Sequence, residues 1–421
     1  MNLLHIVHQY LPEHVGGTEL YTDWLSGALS RRGHRVAIFH RHSASAAGLE
    51  SRWDGAVQIW RAWAGLMTPA GRFRATFSAP ALAQAFERVL TEVRPDLIHI
   101  QHLMGQPAGL VDLIRQQQIP YVVTLWDFWW VCANAQLLTN YSQQICHGPA
   151  WYLNCAHCAL ARLERPQYRF VLPVVAGPLA GLLAGRNRLL RRVIQGAAQL
   201  IVPAEFVRQW YIEHGMPAEK LVVLPPGLEH IEPGSRSSRP PDEPLRFAYI
   251  GGLARQKGVH VLLQAFHDLD PKTELWLAGD QTTDPDYVAQ LRQFSRPGVR
   301  FLGRLSRSQV WQILAQVDIL VMPSLWYETF GFVISEAFAA GVPVIASRLG
   351  PLADRVRHEV DGLLVPPGDV AALRLALQRF IDDDGLLARL QSGIRPVQTI
   401  EAHAAAIEAV YQAVAGRRVE S

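Results

Sequence analysis

Short apolar strands alternate with amphipathic helices twice along this chain, and a stretch rich in Pro, Gly and Ser parts the two series. The first series runs from Leu3–His8 to Leu221–Leu224. The second begins at Arg246–Ile250. Parallel strands need a crossover connection, and a helix is the usual one, so the alternation predicts an α/β fold with doubly wound parallel sheets. The parting stretch, Pro225–Pro244, reads as a linker. A chain of 421 residues is long enough for two such cores. The expected division is an N-terminal domain over 1–228 and a C-terminal domain over 229–395, with a last helix inside 396–421. Ile400, Ala404, Ile407, Val410 and Tyr411 recur in that helix at helical spacing.

In such sheets, ligands bind outside the C-terminal strand ends. The unusual residues cluster there. Asp318–Ser347 reads as a strand, a loop, a helix opening near Gly331, and a second strand. Glu328 falls in the loop and Glu336 in the helix, with backbone N–H groups near Phe330 and Gly331 free to meet phosphate oxygens. Upstream, Ile250–Gly258 follows a strand and opens a helix. It places Gly251 and Gly252 before Arg255 and Lys257, which suits a diphosphate. Lys occurs only at 220, 257 and 272, so Lys257 stands out. Gly279 sits in the turn after another strand, and Gly16 and Gly17 end the first strand of the N-terminal domain. No Walker A sequence is present.

Net charge is +3, but residues 1–228 carry 20 Lys and Arg against 14 Asp and Glu. That surplus points to an anionic partner or a membrane surface. Residues 170–195 combine an apolar run with Arg186, Arg188, Arg191 and Arg192. They read either as an interfacial segment touching anionic lipid or as a core helix with a solvated basic end. No run reaches the length of a membrane span and no leader is visible at the N-terminus. The expected location is cytoplasmic, with peripheral contact at the inner face of a membrane. Cys132, Cys146, Cys155 and Cys158 all lie in the Trp-rich stretch around 126–160, which holds no clear period. A structural zinc site, reduced thiols and a disulfide pair all remain open.

Taken together, GGTE at 16–19, DLIHIQHL at 96–103, VVTLWDFWWVC at 122–132, IGGLARQKG at 250–258, LAGD at 277–280, PSLWYETFGFVISEAFAAGVPVIAS at 323–347 and DGLLVPPGD at 361–369 resemble the family 4 retaining glycosyltransferases of the GT-B fold. A subset of that family carries a comparable cysteine insertion. The resemblance implies two Rossmann-like domains facing across a cleft, with the last helix crossing back to the first. The donor would be a nucleoside diphosphate sugar held mainly by the C-terminal domain, and the acceptor a glycan or glycolipid; nucleic acid is not expected. Arg255 and Lys257 would hold the diphosphate, Glu336 the ribose, and Glu328 the sugar. Gly16, Gly17, Gly252, Gly279, Phe330 and Gly331 would line the donor. Transfer would proceed with retention and without a cofactor, the cysteines being structural.

The chain departs from that pattern. Trp126-Asp127 stands where the family usually has His-Asp, Ala204 where it often has Ser, and Gly252 where it often has Arg. Three outcomes follow for Trp126. It stacks on a sugar; or His102 or Asp127 takes over the polar contact; or the protein transfers nothing and is a catalytically silent GT-B protein that binds a nucleotide sugar or glycan.

Overall fold

The computed structural model describes residues 1–65, 68–162, 168–229 and 243–416. The chain divides into two units, Met1–Gly227 with Ile400–Ser421, and Leu228–Thr399. Most of the linker expected over Pro225–Pro244 lies outside the described residues.

The first unit holds eight strands: β1 Asn2–Val7, β2 Arg35–His42, β3 Ala44–Asp54, β4 Val57–Gly65, β5 Leu97–Ile100, β6 Tyr121–Thr124, β7 Gln199–Val202 and β8 Leu221–Val223. Their order is β3-β4-β2-β1-β5-β6-β7-β8. All pairs are parallel except β3 with β4. The antiparallel β3 was not foreseen. Its Ala, Ser and Gly residues carry little β-propensity, and it forms as an edge hairpin strand turning at Gly55. The other strands are nearly continuous apolar runs because helices cover both faces.

Two histidines interrupt these runs. His5 and His99 pair across β1 and β5 and are fully buried. Burial keeps both rings neutral, and their nitrogens are satisfied by hydrogen bonds. Tyr411 of the helix Ile400–Gly416 lies 2.6 Å from His99 Nδ1 and 3.3 Å from His5 Nε2. Thr124 and Ser26 satisfy the remaining ring nitrogens. Tyr21 reaches His403 of the same helix at 2.7 Å. The final helix is thus bolted to this unit by buried polar contacts and by Ile400, Ala404 and Ile407.

Burial pushes His5 down to about 3 and His40 and His403 to about 4. A histidine depressed in the folded state binds its proton more readily once unfolded. Stability is therefore lost as pH falls below the ordinary value of 6.5 and until the folded values are reached. Glu19 and Asp23, raised by burial, oppose this trend at its acid end. Urea melts of the whole chain should show the unfolding midpoint dropping from neutral pH towards pH ~5. A flat profile would contradict neutral burial of these rings.

The second unit holds β9 Leu245–Ile250, β10 Thr273–Ala278, β11 Val299–Gly303, β12 Ile319–Met322, β13 Val344–Ser347 and β14 Gly362–Val365. The order is β11-β10-β9-β12-β13-β14, parallel throughout. One core cluster runs from Phe247, Leu262 and Leu277 to Leu377 and Leu390. Each sheet thus reverses its winding once, between β1 and β5 in the first and between β9 and β12 in the second. A crevice opens at such a reversal because successive crossovers go to opposite sides. Together these features are the GT-B fold, two Rossmann-like domains in one chain.

Candidate functional site

At the reversal in the second unit, the loops after β9 and β12 come together. Gly258, in the left-handed region at φ +71°, ends the short turn Arg255–Lys257 and starts the helix Val259–Phe266. A Cβ on Gly258 would lie 2.0 Å from the Pro323 carbonyl oxygen, so only glycine lets the two loops approach this closely. Leu325 donates its amide to the Gln256 carbonyl at 2.8 Å, which ties them. Lys257 Nζ then reaches both oxygens of Glu328, at 2.7 and 2.9 Å. Ser324 and Trp326 donate to the same carboxylate at 2.8 and 2.9 Å. Burial works to raise the Glu328 carboxyl, but Lys257 and these donors outweigh it and hold it below the ordinary range. Lys257 also sits 5.0 Å from the Trp326 ring.

The rest of the foreseen donor residues are dispersed around this pair. Glu336 is buried on the helix Phe332–Ala339 and is held by Arg307, which sequence reasoning missed. Gly331 caps that helix at φ +74°. Phe330 is buried, with the Arg355 guanidinium 3.6 Å over its ring. Arg255 is turned aside, hydrogen bonded to Gln290 at 2.6 Å and lying over Tyr287. Gly279 allows the turn after β10 to pass the Gly251 carbonyl, where a Cβ would approach to 2.2 Å. Gly252 faces open space.

The reversal in the first unit gathers a second polar group. His102, after β5, accepts the Met104 amide on Nδ1, so its Nε2 carries the proton and faces both oxygens of Asp127 at 3.3 Å. The His8 ring lies 4.6 Å from His102, and its Nε2 is 3.3 Å from Glu19. Gly16 makes room for that carboxylate: a Cβ there would come within 2.5 Å of Glu19 Oε2. Gly17 begins the helix that carries Glu19. His8 Nδ1 and Glu19 Oε1 are buried polar atoms without a hydrogen-bond partner among the described residues. Trp126 is not part of this group. Its indole is buried, donates to Gln101 at 3.0 Å and packs 4.4 Å from Tyr21, so it presents no open ring to a sugar. Ala204 starts its helix without a side-chain cap.

Residues 16–227, just over half of the chain, match the family described as "Glycosyl transferase 4-like domain", and residues 231–395 match "Glycosyl transferases group 1". The chain belongs to this glycosyltransferase family. The glycogen synthase of Mycobacterium tuberculosis is 32% identical over 174 residues, 40% of this glycosyltransferase-family chain and 42% of that enzyme. The match therefore spans less than half of that relative's length. The D-inositol 3-phosphate glycosyltransferase of Xylanimonas cellulosilytica is 26% identical over 410 residues, covering 90% of this chain and 87% of the relative. Among solved structures, sucrose-phosphate synthase from Thermosynechococcus elongatus superposes with a TM-score of 0.72 at 22% identity, covering 98% of both chains. Anabaena HepE in complex with UDP and glucose gives a TM-score of 0.65 at 20% identity, covering 98% of this chain and 99% of that one. These structural likenesses show the fold.

The cysteines of this glycosyltransferase-family chain need a correction. All four, Cys132 included, are free thiols, and no group of three or more His, Cys, Asp or Glu among the described residues is arranged to hold a metal ion. Three have plain local roles. Cys146 Sγ reaches the Gly148 carbonyl at 3.4 Å, and Cys158 Sγ accepts the Asn140 amide at 3.3 Å. Cys155 packs against the small cluster of Ala156, Ala180 and Leu183. Burial pushes the Cys155 thiol up to about 12 and Cys158 to about 11. None of the four is in a disulfide, and among the described residues they are not gathered into a four-thiolate site. Nor do these thiols mark out the cysteine-bearing subset of the family.

Proposed function

We propose that this protein is a retaining glycosyltransferase that moves a sugar from a nucleoside diphosphate sugar to a glycan or lipid-linked acceptor. The observation that carries the reading is the Lys257–Glu328 pair, its carboxylate buried, at the winding reversal of the second unit. Lys257 is held by a carboxylate and remains a quarter exposed at the loop ends, a cation kept for a ligand's charge. HepE, of the same fold, has been solved with UDP and with UDP-glucose, which favours this donor class.

In this reading the bond between the anomeric carbon and the diphosphate oxygen breaks. The acceptor oxygen bonds to the same face of that carbon, and its proton passes to the departing phosphate. Lys257 stabilises the charge that develops on the leaving group. Glu328 keeps Lys257 placed and accepts sugar hydroxyls. Glu336 retains lone pairs beyond its contact with Arg307 for ribose hydroxyls. Arg255 must leave Gln290 to join the diphosphate.

We assign acceptor contacts to His8, His102 and Asp127. Trp126 is committed to the core, so His102 held by Asp127 replaces the missing histidine. His102→Gln should lower transfer by about 10²-fold and leave nucleotide affinity unchanged. Equal rates would remove His102 from this role.

Incubation with radiolabelled donors of each common base and a panel of acceptors tests the whole reading. Label should move to an acceptor or, without one, to free sugar. Nucleotide binding with neither outcome would leave the silent nucleotide-sugar-binding protein, the reading that the Trp126 replacement favours.

A further inference from the structure

The segment around 170–195, left open between lipid contact and a core helix, forms one helix, Tyr168–Gly196, despite Pro173 and Pro178. Against expectation, Phe170–Gly196 is long and apolar enough to cross a membrane by length and composition. Only 17% of its most apolar window is buried, so that window is not a core helix. Its two halves differ. The second half is built into the first unit. Leu190 and Ile194 are fully buried, and Arg186, 1% exposed, donates to the Trp129 carbonyl at 2.7 Å. The first half shows apolar groups to solvent. Phe170 is 83% and Val174 78% exposed, and Leu182 follows on the same broad face. Its inner side, Ala176, Leu179, Ala180 and Leu183, packs on the helix Leu153–Ala161. Beside it, Trp151 is 92% exposed and Leu153 half exposed. Trp151 and Leu153, with Gly177, Ala180 and Gly181 of the helix, line a shallow groove of about 800 Å³.

We propose that this face docks on an anionic lipid bilayer, with the first half of the helix lying in the plane of the interface. The argument rests on charge as well as on apolar exposure. Residues 128–204 contain seven Arg and one Glu, a difference equal to the surplus of +6 carried by residues 1–228. Arg186 is buried and Glu164 and Arg165 lie outside the described residues, while Arg162, Arg188, Arg191 and Arg192 are exposed. The short helix Pro69–Ala75 adds Arg72 and Arg74, and its Phe73 packs on the same small cluster that supports the groove. An apolar stripe with an aromatic residue at each side, set among arginines and nearly free of acids, is the composition of an interfacial anchor. Arginine stems lie along apolar surface while their heads reach phosphates. Packing argues against a span: a crossing helix needs ~20 apolar residues, and this one is locked into the unit from Arg186 onward. A protein partner matched to so many arginines would have to be strongly acidic and apolar at once.

This proposal does not rest on the transferase reading, because vesicle binding needs no substrate. The whole chain is floated with vesicles of phosphatidylcholine alone and of phosphatidylcholine mixed with phosphatidylglycerol. It should rise with the mixed vesicles only. Val174→Glu and Phe170→Ser should each lower the partition at least ~10-fold, and Arg74→Gln by a smaller factor that high salt abolishes. All three side chains are on the surface or its edge, so urea midpoints should stay at the wild-type value. Flotation of Val174→Glu equal to wild type would overturn the proposal. So would a wild-type chain that stays with the soluble fraction, or a dimer on gel filtration that Val174→Glu dissolves.

Discussion

Lys257→Ala should lower sugar transfer by about 10³-fold, the loss typical of removing one group that stabilises a departing charge. The same change should destabilise the second unit by about 3 kcal/mol, because it leaves the Glu328 carboxylate buried without its cation. Ser324 and Trp326 would still donate to it, but neither supplies charge. The two effects separate in a double variant. Lys257→Ala with Glu328→Gln removes the stranded charge, so stability should recover while transfer stays absent. A pH series adds a sign. Glu328 is depressed in the folded state, so its stabilisation is present above the ordinary carboxyl value of 4.5 and is lost as pH falls through the folded value. That acid limb should be shallower in Lys257→Ala. Recovery of activity in the double variant would show that Lys257 only neutralises Glu328.

Gly258→Ala should be nearly as damaging, for a different reason. Its Cβ would meet the Pro323 carbonyl oxygen at 2.0 Å and the carbonyl carbon at 2.9 Å, and its φ of +71° disfavours any side chain. Backbone on both sides must yield, at a cost of about 3 kcal/mol. The displacement falls on the Leu325–Gln256 hydrogen bond and so on the distance from Lys257 to Glu328. Nucleotide affinity should fall with stability. Gly252→Ala is the control in the same loop. A Cβ there meets nothing within 4 Å, so the expected change is under ~0.5 kcal/mol. Equal behaviour of the two variants in urea melts would refute the close approach of the two loops as the reason for glycine.

The sequence showed most where local chemistry decides the outcome. Gly331 as the start of a helix, Glu328 in the loop before it, and the helix Val370–Asp382 behind its Asp369 cap all follow from residues close together in the chain. Partners distant in sequence were illegible. Arg307 meets Glu336 across 29 positions, and nothing around Arg307 distinguishes it from other surface arginines. The same holds for Trp126: its aromatic character suggested a sugar platform, whereas its N–H partner Gln101 and its ring neighbour Tyr21 make it core. His8 and Glu19 were passed over because one ends a strand and the other opens a helix, and only the winding reversal joins them. Cysteine spacing alone left three outcomes open. Four thiols within a short stretch allow a metal, a disulfide or reduced thiols; the structure shows them free, with Cys146 and Cys158 meeting backbone groups nearby.

Calorimetric titration with UDP, GDP and ADP tests the central claim most directly, because it reads the Lys257–Glu328 site without an acceptor. At least one nucleoside diphosphate should bind, and Lys257→Ala should weaken that binding at least ~30-fold, about 2 kcal/mol. Affinity that is the same in wild type and variant, or no binding of any of the three, would contradict the assignment of this pair as the donor site.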